Sequence, residues 1–282
     1  MTDQQAEAES EARERDIDLD TEDRDSVAEH MGITATIVHE VVRRQGDEEL
    51  DRPASSLWWS GVAGGVAVSA SILGHAMMEH ALPDAPWRPL VASIGYSLGF
   101  LIVIMGRMQL FTETTLSAVI PVATHPTVSN ATRMLRLWGI VFLANVTGTF
   151  LVAAVANAGL FGVEGQHDAM LELSRKLLKR DALDSLQAAI PAGFLIAAIP
   201  WTAPAARGQE FWLILILTYF VALGGFGHVV AGSGEMWLLV LSGEATIGWG
   251  LGTFLLPTLA GNIIGGTVLF AVLAHAQVAE EL

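Results

Sequence analysis

Read for apolar runs, the chain alternates long uncharged stretches with short polar or proline-bearing ones. The first run extends from about Leu57 to Met78 and opens on Trp58 and Trp59, the aromatic pair expected at a membrane interface. The second starts near Leu90, after Pro83, Pro86 and Pro89, and runs to Met105. The third covers about Leu137 to Phe161, the fourth Ser185 to Ala203, the fifth Phe211 to Leu241 and the sixth Ile247 to Ala274. Each continuous run offers about the 20 residues that a hydrocarbon core of ~30 Å requires, the fourth being the shortest. The pattern predicts an all-α integral membrane protein with six transmembrane helices. Residues 165–180 put Met170, Leu173 and Leu177 on one side and Arg175, Lys176, Lys179 and Arg180 elsewhere, which predicts an interfacial amphipathic helix.

Two of the six runs are interrupted. In the second, Gly106-Arg107-Met108-Gln109-Leu110-Phe111-Thr112-Glu113-Thr114-Thr115 precedes the return of apolar sequence from Leu116 to Pro121. In the fifth, Leu223 to Glu235 holds five glycines, a serine, His228 and Glu235. A broken helix in lipid exposes backbone groups that each cost several kcal/mol unless protein or a water-filled cavity satisfies them. An ionisable residue at that depth marks a functional site by default.

The halves of the chain echo each other. Asn145-Val146-Thr147-Gly148 in the third run and Asn262-Ile263-Ile264-Gly265 in the sixth share Asn-x-x-Gly, and Ala63-Gly64 falls where Ala192-Gly193 falls. Three spans per half require the second half to enter from the opposite side. The expectation is therefore two inverted three-helix repeats, with the second and fifth helices broken around a midplane site.

Composition sharpens this. The chain is 52% hydrophobic, has a mean hydropathy of +0.47 and contains no cysteine, so disulfide and thiol chemistry are excluded. The net charge of −15 is concentrated at one end: residues 1–51 carry 17 acidic residues against 5 arginines. Residues 1–52 are expected to be an acidic, largely disordered tail with a short amphipathic helix on Ile33, Ile37, Val38, Val41 and Val42. Residues 53–277 are expected to form the transmembrane domain, and 278–282 a short tail. No secretory signal sequence, nucleotide-binding loop or nucleic-acid-binding patch is visible. The inner flanks hold Arg43, Arg44, Arg52, Arg133, Arg136 and Arg207 if the termini are cytoplasmic. Arg88 and the four basic residues of 175–180 would then lie outside, so the positive-inside rule leans towards cytoplasmic termini. His75, Glu79 and His80 lack the His-Glu-x-x-His spacing of a zinc site. They read as solvated side chains at an interface, and no metal, cofactor or enzymatic activity is expected.

Leu110-Phe111-Thr112, Gly227-His228 and Ala260-Gly261-Asn262-Ile263-Ile264-Gly265-Gly266 together carry a resemblance. Over about residues 55–277 the chain resembles the formate/nitrite transporter family. The closer match looks like that family's YfdC-type branch, which shares Gln-Leu-Phe-Thr-Glu, His-x-Val-x-Gly-Ser-x-Glu, Pro-Thr-Leu-Ala-Gly-Asn and a terminal His-Ala-Gln. The resemblance implies an aquaporin-like fold and a homopentamer in the cell membrane, with one pore per protomer for small monovalent anions of weak acids. It matches Thr112 to the threonine of the family's Ω-shaped loop, His228 to the central pore histidine, and Leu110 and Phe111 to the inner constriction. Tyr96 and Phe100 match the outer narrow region and its neighbour, and Asn145 and Asn262 the repeated asparagines. The chain departs from the family's pattern at Glu113, at Gly232-Ser233-Gly234-Glu235 and at Arg107, where a glycine is usual.

The expected roles follow. His228 either protonates an entering anion or donates a hydrogen bond to it, and Thr112 bonds His228 and selects its tautomer. Glu113, Glu235 and Arg107 are expected to form a buried charge cluster. Asn145 and Asn262 tie broken-helix backbone. The alternative is a pentamer of this fold with an occluded or differently selective pore, acting as sensor or scaffold.

Overall fold

A computed structural model describes residues 32–161 and 165–281, and every regular element among them is helical. Of the acidic tail expected at 1–52, residues 1–31 lie outside the described residues and 35–51 are helical. The helices are α1 (Ala35–Asp51), α2 (Ala54–Ala81), α3 (Arg88–Met105), α4 (Phe111–Ser117), α5 (Val119–Thr124), α6 (Val128–Asn157), α7 (Gln166–Ser174), α8 (Ala182–Thr202), α9 (Glu210–Leu223), α10 (Val229–Leu241) and α11 (Ile247–Ala276). Five of them, α2, α3, α6, α8 and α11, are long and apolar enough to cross a membrane. The two interrupted runs become α3 with α4 and α5, and α9 with α10.

Capping explains where the helices depart from the apolar runs. The run starting at Leu137 begins as a helix at Val128, because the Thr127 hydroxyl accepts from the Asn130 N–H at 3.1 Å. Its first turns are polar, and Arg133 there pairs with Asp51 of α1. The same helix stops short of Phe161, where Gly159 turns the chain at φ 71°. α8 starts at a reciprocal cap: the Asp184 N–H donates to Asp181 at 2.8 Å and the Asp181 N–H to Asp184 at 3.3 Å.

α2 packs along α6, and α8 along α11. Small residues let the backbones touch. A Cβ on Gly65 would come 2.1 Å from the Asn145 carbonyl oxygen, and one on Gly193 2.3 Å from that of Asn262. Gly148 sits likewise on Val62 and Gly265 on Ile190. With no apolar driving force between helices in lipid, this close van der Waals fit is what associates them. Gly65, one residue on from the Gly64 that the sequence pattern aligns, is the counterpart of Gly193. The half-helices cross over: α10 packs on α6 of the first half and α4 on α8 of the second. Trp59, Leu98, Leu143, Phe220, Leu256 and Leu273 stay exposed on the outside, the surface that lipid or a neighbouring subunit must cover.

Two amphipathic segments are covered by protein on their apolar sides. α7 buries Met170, Leu171 and Leu173 against the bundle, and packs on α2 and α10. α1 buries Val38, Val42 and Leu50, and packs on α4, α5, α6 and α8.

Candidate permeation pathway

Both breaks are built the same way. α3 and α9 end in paired reversals: the Met108 N–H donates to Val103 O (3.0 Å) and the Arg107 N–H to Ile104 O (3.1 Å), while the Phe226 N–H donates to Val221 O and the Gly225 N–H to Ala222 O (both 2.9 Å). This satisfies two carbonyls at each helix end and requires a left-handed residue at the turn. That residue is Gly225 (φ 63°) in one break and Arg107 (φ 54°) in the other. Arg107 is the only non-glycine with positive φ among the described residues. The backbone thus gives the reason a glycine is the usual choice there.

The chain then extends through Leu110 and His228 and re-enters helix at Phe111 and Val229. One asparagine clamps each re-entry. The Phe111 N–H donates to Asn145 Oδ1 at 2.9 Å, and Asn145 Nδ2 donates to Gly61 O (2.7 Å) and Gln109 O (2.8 Å). The Val229 N–H donates to Asn262 Oδ1, and Asn262 Nδ2 to Ala189 O and Gly227 O, all at 2.8 Å. Both amides are fully buried, and each uses its acceptor and one donor on groups of the break and its other donor on a carbonyl of the continuous helix beside it, α2 or α8.

At the second break the residue ahead of the half-helix is itself functional. His228 Nδ1 accepts the Ala231 N–H at 3.1 Å and so caps α10. A ring nitrogen that accepts carries no hydrogen, so the neutral ring bears its proton on Nε2. Nε2 lies 2.7 Å from Thr112 Oγ1 and therefore donates to it. Leu110, at the matching place, has no capping side chain. Phe100 presents its ring edge-on to His228 with centroids 4.9 Å apart, and Tyr96 stacks on Phe100 at 5.3 Å.

Two cavities approach this layer. The first, about 640 Å³, is lined by Leu110 and by polar residues that include Glu49, Arg107, Gln109, Glu113 and Ser117. The second, about 250 Å³, is lined by His75, Tyr96, Phe226, His228, Glu235 and Phe254 among others. Phe100 and Thr112 have no exposed surface and line neither, so they fill the partition between the chambers.

Not every expected neighbour is adjacent. Glu113 and Arg107 share the first chamber and Glu235 faces the second, so these three do not form one charge cluster. The physical reason is their depth: Glu113 follows directly on its break, whereas Glu235 lies nearly two turns into α10. Phe111 points away from both cavities, onto Trp138 (5.8 Å) and Phe142 (5.3 Å) of α6. His75 lines the second chamber and lies 3.8 Å from Glu79, which in turn holds Lys176 at 2.7 Å. Its reading as a solvated interfacial side chain is therefore corrected, while His80 is exposed.

Sequence reasoning missed Phe226, Phe254 and Glu49. Phe226 is the one large residue among the glycines of its break. Phe254 is admitted by Gly232, where a Cβ would meet its ring at 2.4 Å. Glu49 lies about three helical turns beyond Val38, and so on the same face of α1 as the buried valines.

Comparison with known proteins agrees with this geometry. A sequence model of the formate/nitrite transporter family matches residues 36–276. The chain belongs to the formate/nitrite transporter family. It is a multi-pass membrane protein of a transporter family, not of an enzyme family. It is 40% identical over 251 residues to the inner membrane protein YfdC of Escherichia coli (strain K12), covering 88% of this chain and 80% of that protein. It is 26% identical over 180 residues to the formate channel FocA of Haemophilus influenzae, covering 61% of this chain and 62% of that one. Among solved structures, a pentameric formate channel with formate bound superposes with a TM-score of 0.69 at 18% identity, covering 81% of this chain and 98% of its own. A second channel of the family gives 0.71 at 19%, covering 86% and 98%. At these identities the superpositions speak to the fold.

Proposed function

We propose that this protein conducts small monovalent anions of weak acids across the cell membrane, as a homopentamer with one pathway per protomer. The termini are cytoplasmic in this reading, residues 53–277 form the channel domain, and the six spans are two inverted repeats. The observation that carries the proposal is the His228–Thr112 hydrogen bond, at 2.7 Å, in the partition between two cavities. Relatives named as formate channels, and a pentameric one solved with formate bound, support the substrate class and the assembly.

The chemistry follows from the tautomer. With His228 as donor, the Thr112 hydroxyl hydrogen is available to an anion that reaches the layer. A protonated imidazole would need a hydrogen on Nδ1, and that hydrogen would displace the Ala231 N–H. Proton uptake by His228 therefore uncaps α10, at a cost of about 1 kcal/mol. Of the two roles open to this histidine, donating a hydrogen bond is the one its contacts favour. Proton-linked transport then couples charge on the ring to the first turn of α10. The buried Phe100–Thr112 layer favours a gated pathway, or in the alternative reading an occluded one serving as sensor or scaffold.

The test is uptake of formate, nitrite, lactate and hydrosulfide into proteoliposomes, with and without a pH gradient. Flux of at least one anion is expected, and the share of its pH dependence that the imidazole carries is expected to disappear in His228→Asn. Asparagine is itself a good helix cap and cannot titrate. Absence of flux for the whole panel at every pH would favour the occluded pentamer.

A further inference from the structure

We propose that Glu49, on a helix outside the membrane spans, determines anion selectivity in the first chamber: ionised it excludes anions, protonated it admits them. This rests on the anion-channel reading.

The two halves carry the argument. Ser117 follows Leu110 at the same distance at which Glu235 follows His228, so Ser117 holds in α4 the place Glu235 holds in α10. The second half supplies its chamber with a carboxylate from its own half-helix. The first half has a serine there, and that hydroxyl donates to Glu49 Oε2 at 2.7 Å. The carboxylate at this place thus comes from α1. Gln109 Nε2 approaches the other oxygen at 3.5 Å. The helix is seated closely at this point, since a Cβ on Gly46 would lie 2.0 Å from the Ser117 carbonyl oxygen. Glu49 is therefore held in place over the chamber.

Charge balance gives this residue its leverage. The chamber is lined by Glu48, Glu49 and Arg52 of α1, Arg107 and Glu113 of the second segment, and Arg207 and Glu210 at the start of α9. The lining holds four carboxyl groups and three guanidiniums, so the charge an anion meets there is set by which carboxyl groups hold protons. Burial pushes the Glu49 carboxyl above the usual carboxylate range, against the opposing effects of Ser117, Gln109 and Arg52. Among the four, it is the one held on the broken segment by a hydroxyl of α4.

The experiment is formate and nitrite flux of the full-length pentamer in proteoliposomes between about pH 5 and 8. Glu49→Gln is expected to raise flux at pH 8 on the order of tenfold, the effect of removing one like charge a few ångströms from the anion. It is also expected to flatten the rise on acidification. Ser117→Ala removes a donor that favours the ionised form, and is expected to shift the midpoint of that rise to higher pH. Wild-type flux with an unchanged profile in both variants overturns the assignment and leaves the channel reading intact. Lower flux at every pH in Glu49→Gln, at normal pentamer yield, overturns it as well. No flux in wild type or variant at any pH overturns both.

Discussion

The two breaks share a backbone and differ in nearly every side chain that can do chemistry. Both end a helix through a left-handed residue, extend through one more turn of chain and start a half-helix clamped by a buried asparagine. Yet His228 caps one half-helix where Leu110 leaves the other uncapped. Arg107 stands where the second break has Gly225, and Ser117 where it has Glu235. The repeated positions answer the cost of broken backbone in lipid. The unrepeated ones make the two cavities chemically unlike, with Glu113, Glu49 and Arg107 lining one and His228 and Glu235 the other. A pathway whose ends are chemically unlike can respond differently to the pH on its two sides.

The asparagine clamps are the strictest test of equivalence. Asn145→Ala and Asn262→Ala each orphan a buried N–H and one loop carbonyl, that of Gln109 or Gly227. At about 1–3 kcal/mol per unsatisfied buried group, each variant is expected to lose on the order of 2–6 kcal/mol, enough to reduce folded yield. The losses should match, because the contacts match. A variant that keeps wild-type thermal stability in detergent would show that its clamp is dispensable and end the equivalence.

Next come the turn residues, where the halves should respond with opposite sign. Arg107→Gly relieves a left-handed side chain and is expected to stabilise by about 1 kcal/mol. Gly225→Ala imposes the same strain, and is expected to destabilise by about 1–2 kcal/mol. The added methyl would also meet Arg180 at 3.4 Å, the side chain that bonds the Gly225 carbonyl. Melting temperatures moving in the same direction would show that Arg107 is held by its charge rather than tolerated by its backbone. Capping is a similar contrast. His228→Ala should cost about 1 kcal/mol of stability and His228→Asn close to nothing, while both remove the ring bonded to Thr112. Equal destabilisation by the two would show that the cap is not what His228 contributes to the fold.

Much of this was legible in the sequence because lipid leaves few options. An uncharged run of about 20 residues is read as a span, and four of the six runs appear as unbroken helices and the other two as α3 and α9 with their partners. The glycine-rich break around His228 and the repeated Asn-x-x-Gly pointed to the clamps, and Thr112 does meet His228. What escaped was whatever depends on three-dimensional partners. The polar first turns of α6 are helical through Thr127 and an ion pair with α1, and hydropathy alone stops at the charges. Phe111 shares the re-entrant loop with Leu110 but turns to α6 instead. Glu49 was hidden because the acidic run before it reads as solvated tail. Its position on the buried face of α1 was the available signal.

The smallest effect concerns α1 itself, which packs beside α4 as α7 packs beside α10, but brings Glu48 and Glu49 to its chamber where the segment after α7 brings Lys176 and Arg180. Four titratable groups of α1 are shifted, and the two that burial shifts, His39 and Glu49, move in opposite senses. Burial, then the neighbouring His275 at 3.0 Å, holds the His39 imidazole below its ordinary value. Burial raises the Glu49 carboxyl. For His39 the unfolded ring takes a proton before the folded one does. Its contribution is thus complete above the ordinary imidazole value and is lost as pH falls towards the lowered folded one. For Glu49 the folded state keeps its proton longer, so its contribution is complete below the ordinary carboxylate value and is lost as pH rises through the raised one. Between the two ordinary values the contributions change in opposite directions with pH and offset each other. His39→Gln is expected to remove the loss on the acid side, and Glu49→Gln the loss on the alkaline side. The measurement is hydrogen-exchange protection of the α1 amides between pH 5 and 8, corrected for the intrinsic rate (His titrates in this range). If each variant flattens its own limb and spares the other, α1 is a titratable element of one half of a repeated scaffold. If neither limb changes, helix packing at Val38, Val42 and Gly46 alone holds α1, and the asymmetry of the chambers is fixed rather than responsive to pH.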